Sequence, residues 1–385
     1  MNSHSATPDG WTPQDYAFMA EAIRLAQKGL YTTEPNPRVG CVLVRDGLVI
    51  GRGWHQKAGE PHAEVFAIQE AGEKASDSTA YVSLEPCAHQ GRTGPCAMAL
   101  INAGVSRVVA AMEDPNPLVG GQGFKQLRDA GIDVACGLLE VQARALNSGF
   151  IKRMTERMPW VRIKLAVSLD GRTAMASGES QWITGPEARS DVQRLRARSS
   201  AIISSTGTIL ADDASLTVRP QELGIAEAED VAKRQPLRVI LDWHSRLSGA
   251  EKVFSAFGSV LYCTVVGMKV TPDIRAAEHI ETVFFPESVA ADHSIREVLQ
   301  ELAARGCNEV LVEAGATLAG SFVAQNLWDE LIVYIAPKLM GSHAKPMLDL
   351  PLDKMSQSHA LRLQAVSMVG DDIKMVYVQQ SSVNE

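Results

Sequence analysis

The 385-residue sequence lacks any apolar run that approaches the roughly 20 residues a helix needs to cross a bilayer. Its opening residues, MNSHSATPDGW, contain neither a basic stretch nor an apolar core, so they lack the pattern of a secretory signal. These absences predict a cytoplasmic protein with no membrane partner. Cysteine is scarce, with six residues in the chain, and in a reducing compartment closely spaced cysteines bind metal or catalyse more often than they form disulfides.

An excess of positive charge is also missing. The chain has 37 Lys and Arg residues against 45 Asp and Glu residues, which gives a formal net charge of −8. Tight binding to a nucleic-acid backbone requires a positive face, so this balance argues against a nucleic-acid partner. A local basic pocket for a phosphorylated small molecule remains compatible with it.

Two common nucleotide motifs are absent from the second half of the chain. No G-x-G-x-x-G follows its first predicted strand, and the segment GATLAGS has Ser321 where a P-loop has lysine. A standard Rossmann site and NTP hydrolysis are therefore not supported. What remains is a strand that ends at Glu313, a glycine loop and a helix start, which either binds phosphate through backbone N–H groups or forms a simple tight turn.

Strands alternate with helices along most of the chain, which predicts an α/β protein with mainly parallel pairing. The length suggests two domains, and a helix that stops before Pro159 places the boundary between 1–157 and 158–385. The last strands follow one another without helices, so we expect them to pair antiparallel. Segment 221–235 lacks periodicity and is predicted to be an exposed loop. Predicted helices cover 15–29 (with Asp15 as a cap), 62–73, 96–104, 124–132, 142–157, 186–199, 293–306 and 315–326; predicted strands cover 41–53 (a hairpin), 80–86, 107–114, 132–137, 160–171, 201–205, 236–242, 259–266, 308–315, 329–337, 360–369 and 373–379.

One constellation in the first half points to metal chemistry. The run PHAEV holds His62 and Glu64 at a helix start, and EPCAHQGRTGPC holds Cys87 and Cys96. One imidazole and two thiolates would give a catalytic zinc ion three protein ligands and leave the fourth position for water. Glu64 would then be the catalytic acid and base that moves protons from water to the substrate.

Each of these features is weak alone, because H-x-E is common and isolated cysteines are often inert core residues. Their order on a strand, loop and helix frame is more specific. His89 is a competing ligand within the cysteine loop. A structural zinc site is the other alternative, but it would need a fourth protein ligand, and Glu64 fits that role poorly beside His62.

The motifs PNPRVG, GRGWHQKAGEPHAE, LEPCAHQGRTGPC and EDPNPLVGGQG resemble the deaminase half of the bifunctional deaminase–reductase family of riboflavin biosynthesis. The long spacing between the cysteines, with H-x-G-K/R-T inside it, is typical of that family. The sequence departs from the family's pattern at Gly94, a position at which the family usually has proline. The resemblance implies a three-layer, cytidine-deaminase-like domain with one zinc ion, in which substrate contacts come from Asn36, His55, His89 and Arg92.

The motifs KLAVSLDGRTA, SGESQWITG, GTILADDASLTVR and VEAGATLAGSF resemble the reductase half of the same family, in the family's order. This resemblance implies a dihydrofolate-reductase-like domain that uses NADPH, although no residue in the sequence identifies a 2′-phosphate contact. The implied cofactor contacts are Ala166, Trp182, Thr208, Asp212, Gly315, Ala316, Thr317, Leu318, Ala319, Gly320 and Ser321. The implied substrate contacts are Ser180, Arg196, Leu216, Arg219 and Glu313, and the two arginines suit a ribose phosphate.

The resemblance therefore implies a two-step enzyme that deaminates a phosphorylated pyrimidine and then reduces its ribosyl chain, with Asp212 as a candidate acid for sugar opening. We also expect a homo-oligomer. Two rival hypotheses are a nucleic-acid deaminase with an accessory domain and a zinc-stabilised binding module without activity. The acidic balance and the absence of a basic stripe with interleaved aromatics count against the first rival.

Overall fold

The computed structural model describes residues 10–88, 94–288 and 295–380. Contacts between residues divide the chain into two compact units, Met1–Arg157 and Met158–Glu385. Both are mixed α/β structures with their own cores, as predicted. In the part of the chain that the structure describes, no helix has the length and apolar character required to span a membrane.

The first unit is built around a five-stranded sheet in the described residues, with order β2-β1-β3-β4-β5. Strand β1 pairs antiparallel with β2 and β3, whereas β3, β4 and β5 are parallel. The helices are α1 (Pro13–Gln27), α2 (Ala63–Ala71), α3 (Cys96–Asn102), α4 (Gln122–Asp129), α5 (Glu140–Leu146) and α6 (Ser148–Glu156), with a 3-10 turn at Gly72–Ala75; the strands are β1 (Gly40–Arg45), β2 (Leu48–Trp54), β3 (Thr79–Val82), β4 (Arg107–Ala110) and β5 (Asp133–Cys136).

Apolar residues on both faces of this sheet make the three layers that the resemblance implied. Cys41 and Leu43 pack with Ala67 of α2 and Leu100 of α3, on the face where the metal candidates lie. The opposite face packs against α1 and α5. Strand residues alternate between the two faces with a period of two, so both sides of β1 are covered by helices.

Two helix boundaries differ from the predictions. Helix α1 begins at Pro13 with Thr12 as its cap, because Thr12 Oγ1 accepts from Asp15 N (3.1 Å) while Asp15 accepts from Thr12 N (2.9 Å). The helix predicted over 142–157 is two helices that meet at Asn147. The buried Asn147 side chain accepts from Arg38 N (2.8 Å) and donates to Arg38 O (2.9 Å). These two hydrogen bonds tie Asn147 to the backbone of the segment before β1, at the point where the helix is interrupted.

The second unit contains a larger sheet with order β11-β10-β9-β8-β12-β6-β13-β16-β15 in the described residues. Its helices are α7 (Pro186–Arg198), α8 (Thr206–Asp212), α9 (Pro220–Leu223), α10 (Ala228–Ala232), α11 (Lys252–Ser255), α12 (Pro272–Ala276), α13 (Arg296–Ala304) and α14 (Ala316–Ala324), with a 3-10 turn at Met355–Gln357. Its strands are β6 (Trp160–Ser168), β7 (Arg172–Ala174), β8 (Ala201–Ser205), β9 (Leu237–Leu241), β10 (Val260–Val265), β11 (Ile280–Phe285), β12 (Glu309–Val312), β13 (Glu330–Ala336), β14 (Lys345–Pro346), β15 (Leu361–Val369) and β16 (Asp372–Gln379).

Strand direction places the carboxyl ends of the central strands at one edge of this sheet. From β11 to β13 the neighbours are parallel, and β16 then pairs antiparallel with β13 and with β15. The antiparallel prediction for the late strands is confirmed. On β6, Val161, Ile163 and Leu165 enter one core, so Lys164 and Ala166 face the other side of the sheet.

The exposed loop predicted at 221–235 is wrong. This segment contains the end of α9 and all of α10, and it buries Leu223 and Val231. Helices of four and five residues are too short to produce a recognisable helical period, which explains why the pattern was not visible.

Candidate active sites

Three donor atoms meet above the first sheet. His62 is the residue before α2, Cys87 follows β3, and Cys96 is the first residue of α3. His62 Nδ1 lies 3.2 Å from Cys96 Sγ and 3.5 Å from Cys87 Sγ, and all three donor atoms lie within 4.8 Å of one another. Among the described residues, these three form the group of His, Cys, Asp or Glu side chains whose donor atoms lie close enough together to hold a metal ion.

The geometry and chemistry of this cluster fit zinc. Zinc takes nitrogen at about 2.0 Å and sulfur at about 2.3 Å in tetrahedral sites, so its ligand atoms lie roughly 3.5–4 Å apart. One imidazole and two cysteine sulfurs are a common donor set for zinc, and three protein ligands leave one position open for water.

The surroundings of the two sulfurs favour a thiolate. The hydrogen bond from Cys96 lowers the pKa of Cys87 to about 4, with a further contribution from His62. The same shared proton raises the pKa of Cys96, and burial adds to this effect. The backbone N–H of Cys96 also points to Cys87 Sγ at 3.4 Å. A cation at this position would therefore meet negative charge that the fold already stabilises.

Glu64 lies beside this cluster with an uncompensated oxygen. Its side chain is 2% exposed, and Oε2 has no hydrogen-bond partner in the described part of the chain. Burial raises the pKa of Glu64 to about 7, and the Cys87 thiolate adds to this rise. A buried carboxyl group with a pKa near neutrality is able both to take and to give a proton.

Asn36 and His55, two of the predicted substrate contacts, lie beside each other and differ in exposure. His55 is 2% exposed; its Nδ1 lies 3.1 Å from Pro61 O and its Nε2 lies 3.1 Å from Asn36 Nδ2. Nδ1–H therefore donates to the carbonyl, and Nε2 accepts from the amide of Asn36. Burial lowers the pKa of His55, which keeps the ring neutral for this role. His89 and Arg92 lie outside the described residues.

Glu85 is a functional candidate that the sequence analysis missed. Its buried carboxylate accepts four backbone N–H groups at 2.8–3.2 Å, those of Asp114 and Gly121 in the following loop and those of Gly123 and Phe124 in the first turn of α4. A β-carbon at Gly123 would lie 1.9 Å from Pro86 O. The first turn of α4 is thus packed against the segment that carries Cys87. The acidic residue before Pro86 was the available signal in the sequence.

The second unit contains a cavity of about 1140 Å³ at the carboxyl edge of β6, β12, β8 and β9. It gathers residues that are distant in sequence. The predicted residues that line it are Ala166, Ser180, Trp182, Arg196, Thr208, Asp212, Leu216, Arg219, Glu313, Gly315, Ala316, Thr317, Leu318 and Ser321.

Two predicted cofactor contacts lie elsewhere. Ala319 is fully buried in the core between α14 and the sheet. A β-carbon at Gly320 would lie 2.3 Å from Asp349 O, so this glycine allows close packing of the chain and does not line the cavity. Both residues lie on the sides of α14 that face protein.

The glycine loop at the start of α14 has the features of a phosphate site. Gly315 N donates to Thr208 Oγ1 (3.2 Å), which ties the loop to α8. A β-carbon at Gly315 would meet nothing within 4 Å, so the loop borders open space. Helix α14 has no side-chain cap, and its first N–H groups are oriented for an anion. These features fit the pyrophosphate of a dinucleotide.

The two predicted arginines are each held by a carboxylate. Arg196 makes a bidentate, buried pair with Glu313 (2.6 and 3.0 Å) and donates to Thr217 O (2.9 Å). Arg219 pairs with Glu222 (2.6 and 2.7 Å) nearer the surface. The first pair is fixed by its burial, whereas an exposed pair costs little to exchange.

Lys164 was also missed by the sequence analysis. It lines the cavity from β6, where loss of hydration lowers its pKa and the charge of Glu313 opposes that shift. On the same lining, Ser180 Oγ donates to Asp212 Oδ1 (2.8 Å). A lysine inside a central strand is unusual, and that position was the signal available in the sequence.

Comparisons with known proteins agree with both sites. Residues 12–112 match the cytidine and deoxycytidylate deaminase zinc-binding region, and residues 159–375 match the RibD C-terminal domain. The riboflavin biosynthesis protein RibD of Haemophilus influenzae is 50% identical over 95% of this chain and 98% of its own length. That of Escherichia coli is 48% identical over 94% and 98%. The chain belongs to the RibD family.

Solved RibD structures extend this likeness to the fold. RibD from Acinetobacter baumannii matches with a TM-score of 0.89 at 45% identity, over 96% of this chain and 99% of its own. A Thermotoga maritima protein described as a diaminohydroxyphosphoribosylaminopyrimidine deaminase/5-amino-6-(5-phosphoribosylamino)uracil reductase matches with a TM-score of 0.83 at 33% identity, over 95% and 99%.

Membership of the RibD family confirms the predicted fold class, enzyme class and cofactors. The chain is a bifunctional enzyme of riboflavin biosynthesis, with a zinc-dependent deaminase activity and an NADPH-dependent reductase activity. This result favours the leading hypothesis over the nucleic-acid deaminase and over the inactive binding module.

Proposed function

We propose that residues 1–157 deaminate 2,5-diamino-6-ribosylamino-4(3H)-pyrimidinone 5′-phosphate, and that residues 158–385 reduce the ribosyl chain of the product to a ribityl chain with NADPH. The observation that carries the first assignment is the cluster of His62, Cys87 and Cys96 beside the orphaned Glu64 oxygen. The second rests on the cavity that joins Lys164 and Glu313 to the glycine loop. The Thermotoga relative carries the matching pair of activities in its description.

In the first step we assign His62, Cys87 and Cys96 as metal ligands and Glu64 as the proton carrier. A zinc ion held by this donor set supplies Lewis acidity, which makes water a nucleophile at neutral pH. Glu64 takes a proton from the attacking water and passes it to the ring nitrogen. It then takes the proton of the hydroxyl group that has been added and gives it to the amino group, which leaves as ammonia. Its buried, near-neutral carboxyl group suits this double transfer.

Asn36 binds the pyrimidine in this proposal, and His55 positions it. Because His55 Nε2 already accepts from the Asn36 amide nitrogen, the amide oxygen is left for a donor on the substrate. His55 itself is too buried to contact substrate. His89 and Arg92 remain proposed contacts to the rest of the substrate.

In the second step the ribosylamine opens to an imine, in which the nitrogen loses its proton and the ring oxygen gains one. Hydride then adds to C1 while the imine nitrogen takes a proton. NADPH supplies the hydride, and the protein sets its distance and angle. We assign Lys164 and Asp212 as the proton donors, because both line the cavity. The lowered pKa of Lys164 makes it a better acid than an ordinary lysine.

We assign the substrate phosphate to Arg219. Its pair with Glu222 is about 40% exposed on each side, so a phosphate is able to replace the carboxylate at small cost. Arg196 instead holds Glu313 in place, because three of its five N–H donors are used by that pair and by Thr217 O.

We further propose that the chain forms a homo-oligomer through β15. This strand lies at one end of the large sheet, and its residues are exposed on both faces. Val366 and Met368 are 59% and 64% exposed, which is unusual for apolar residues of a strand nine residues long. A second copy of the chain would cover an edge that is otherwise prone to nonspecific pairing.

The function is tested by giving the purified, zinc-loaded protein the diaminopyrimidine substrate with NADPH. We expect ammonia release first and then loss of nicotinamide absorbance, with the deaminated product consumed in the second step. Ammonia release without NADPH, together with NADPH oxidation that requires the deaminated compound, would support both assignments. Oxidation of NADPH on the undeaminated substrate at the same rate would contradict the proposed order.

A further inference from the structure

The segment between β7 and α7, residues 175–185, borders the cavity of the second unit and is called the cavity segment below. Ser180, Trp182 and Thr184 line the cavity from it. The structure describes the whole cavity segment, and none of its residues is buried. Apolar packing therefore does not hold this segment against the protein, and its position depends on polar contacts.

One group of these contacts joins the cavity segment to helices beside it. Ser180 Oγ donates to Asp212 Oδ1 on α8 at 2.8 Å. Arg189 on α7 donates to Thr184 O at 3.0 Å, and its guanidinium lies 4.6 Å from the centroid of the Trp182 ring. These contacts connect parts of the cavity wall with one another, but they do not attach the segment to the sheet.

The attachment to the sheet comes from β13 and β16. Lys338, two residues after β13, donates from Nζ to Trp182 O at 2.7 Å. Asp372, the first residue of β16, accepts from Gly185 N through Oδ2 at 2.7 Å. Lys338 is exposed, whereas Asp372 is 2% exposed. The contact of Asp372 is therefore the shielded one of the two.

The direction of β16 brings Asp372 to the cavity although it lies 187 positions after Gly185 in the sequence. Strand β16 is antiparallel to β13, with Ile373 opposite Ile335, and β13 is parallel to β6. The amino end of β16 thus lies at the sheet edge where β13 and β6 end, which is the edge of the cavity. All of β16 is described, and none of its residues lines the cavity. Asp372 acts on the cavity wall from outside it.

The turn before Asp372 is packed against the start of α7. A β-carbon at Gly370, which has a φ of 63°, would lie 2.7 Å from Glu187 Oε2 in the first turn of this helix. Gly185 is the residue before α7, and a carboxylate near a helix N-terminus is stabilised by the helix dipole. A hydrogen bond from Gly185 N to a buried carboxylate is charge-assisted and strong. It holds one end of the cavity segment on the sheet.

We propose that Asp372 is a positioning residue of the reductase. Through Gly185 N it holds the cavity segment in place, so that Ser180 and Trp182 are already positioned when the dinucleotide and the substrate bind. The inference rests on the proposed reductase function of this unit.

Loss of this hydrogen bond should weaken binding more than it slows the chemical step. A segment that is no longer held must be ordered each time a ligand binds, and that cost appears in the Kd and the KM. The proposed proton donors, Lys164 on β6 and Asp212 on α8, lie outside the cavity segment. The rate at saturation should therefore depend little on Asp372.

The test compares Asp372→Ala with Asp372→Asn, because an amide oxygen still accepts from Gly185 N and a methyl group does not. Asp372→Ala should raise the Kd for NADPH, measured by isothermal titration calorimetry, and the KM for the deaminated substrate by about 10-fold, as expected for one lost charge-assisted hydrogen bond. Its kcat should change by less than about three-fold. Asp372→Asn should bring the Kd and the KM back to within about three-fold of the wild type.

Limited proteolysis gives a measurement that needs neither ligand nor turnover. Chymotrypsin cuts after exposed aromatic residues in flexible segments, and Trp182 is 62% exposed. Cleavage after Trp182 should be faster in Asp372→Ala than in the wild type. Cleavage after Phe257, which is 75% exposed and lies outside the cavity segment, should keep its rate and serves as the internal reference.

Asp371→Ala is the matched control, since it removes a carboxylate from the adjacent, exposed position. It should keep the wild-type Kd, KM and cleavage pattern. If Asp372→Ala does not fold, Lys338→Met removes the other attachment from the surface and should likewise raise the KM and speed cleavage after Trp182. An unchanged Lys338→Met protein would then overturn the inference.

Two further results would overturn it. One is an Asp372→Ala protein with a lower Tm but wild-type Kd, KM and cleavage, which would make Asp372 a purely structural residue. The other is an Asp372→Asn protein impaired as strongly as Asp372→Ala. Both results leave the reductase function standing, whereas a wild-type protein that neither binds nor oxidises NADPH would overturn both.

Discussion

At the scale of single residues, the environment of Glu64 indicates a catalytic role rather than a purely structural one. A glutamate that only stabilised the fold would have both oxygens paired, since an unpaired buried carboxylate costs several kcal/mol. Glu64 instead keeps Oε2 without a partner in the described residues, next to the donor cluster. Such a group is retained where a reaction needs it.

Glu64→Gln should therefore abolish deamination and spare everything else. The amide has nearly the same shape but does not take up or release a proton near neutral pH, so ammonia release should fall by about 10²–10⁴-fold. Zinc content, measured by mass spectrometry of the metal, should stay at the wild-type level because the three proposed ligands are untouched. NADPH oxidation with the deaminated substrate should also persist.

Glu73→Gln is the matched control for this variant, since it makes the same change at an exposed position just after α2. It should deaminate at the wild-type rate. Wild-type deamination by Glu64→Gln would show that another group carries the proton.

The residues of the two candidate sites were predictable to different extents. Spacing alone indicated His62, Glu64, Cys87 and Cys96, because metal chemistry restricts which side chains take part. Lys164 and Glu85 were missed, since their positions in a central strand and before Pro86 mark them as unusual, but the sequence does not show which groups each side chain faces. Arg196 and Glu313 lie 117 positions apart in the sequence, so only the structure shows that they form a pair.

At the scale of elements, the loop before α4 is a support for the first site. Backbone N–H groups of this loop and of the first turn of α4 converge on Glu85, and Gly123 lets α4 approach Pro86 closely. The regular strands and long helices were predictable because their periods are local. The break at Asn147 and helices α9 and α10 were not, because tertiary contacts decide them.

Gly123→Ala should disturb the first site from a distance. The added β-carbon would lie 1.9 Å from Pro86 O, so the start of α4 or the Cys87 segment must shift. We expect a destabilisation of about 1–3 kcal/mol, typical of overpacking, together with weaker zinc retention against a chelator. Thermal unfolding and chelator competition measure the two effects.

Gly94→Ala provides the control, because a β-carbon there meets nothing within 4 Å and the residue precedes Cys96 in the same unit. It should retain zinc and stability. Equal zinc retention by Gly123→Ala and the wild type would mean that the loop does not support Cys87.

At the scale of the whole molecule, each unit carries its own sheet, core and site. In both units the reactive side chains lie mainly in loops at strand ends and at helix starts, while the sheet is mainly apolar. The overall α/β class followed from the alternation of elements. The size of the second sheet did not follow from it, because β15 and β16 have weak sequence patterns. Strand β16 joins the sheet by pairing with β13, and β15 joins it by pairing with β16.

The exposure of β15 leads to a prediction about assembly. If a second copy covers this strand, light scattering after size exclusion should give a mass of at least twice the 41.5 kDa of one chain. Val366→Lys combined with Met368→Lys places two charges on the exposed strand and should shift the protein toward monomer, since inward-facing charge is how edge strands resist pairing. Phe257→Lys, at a residue 75% exposed outside β15 and β16, should keep the wild-type mass. A wild-type monomer would contradict self-association, whereas a double variant that keeps its full mass would place the interface away from β15.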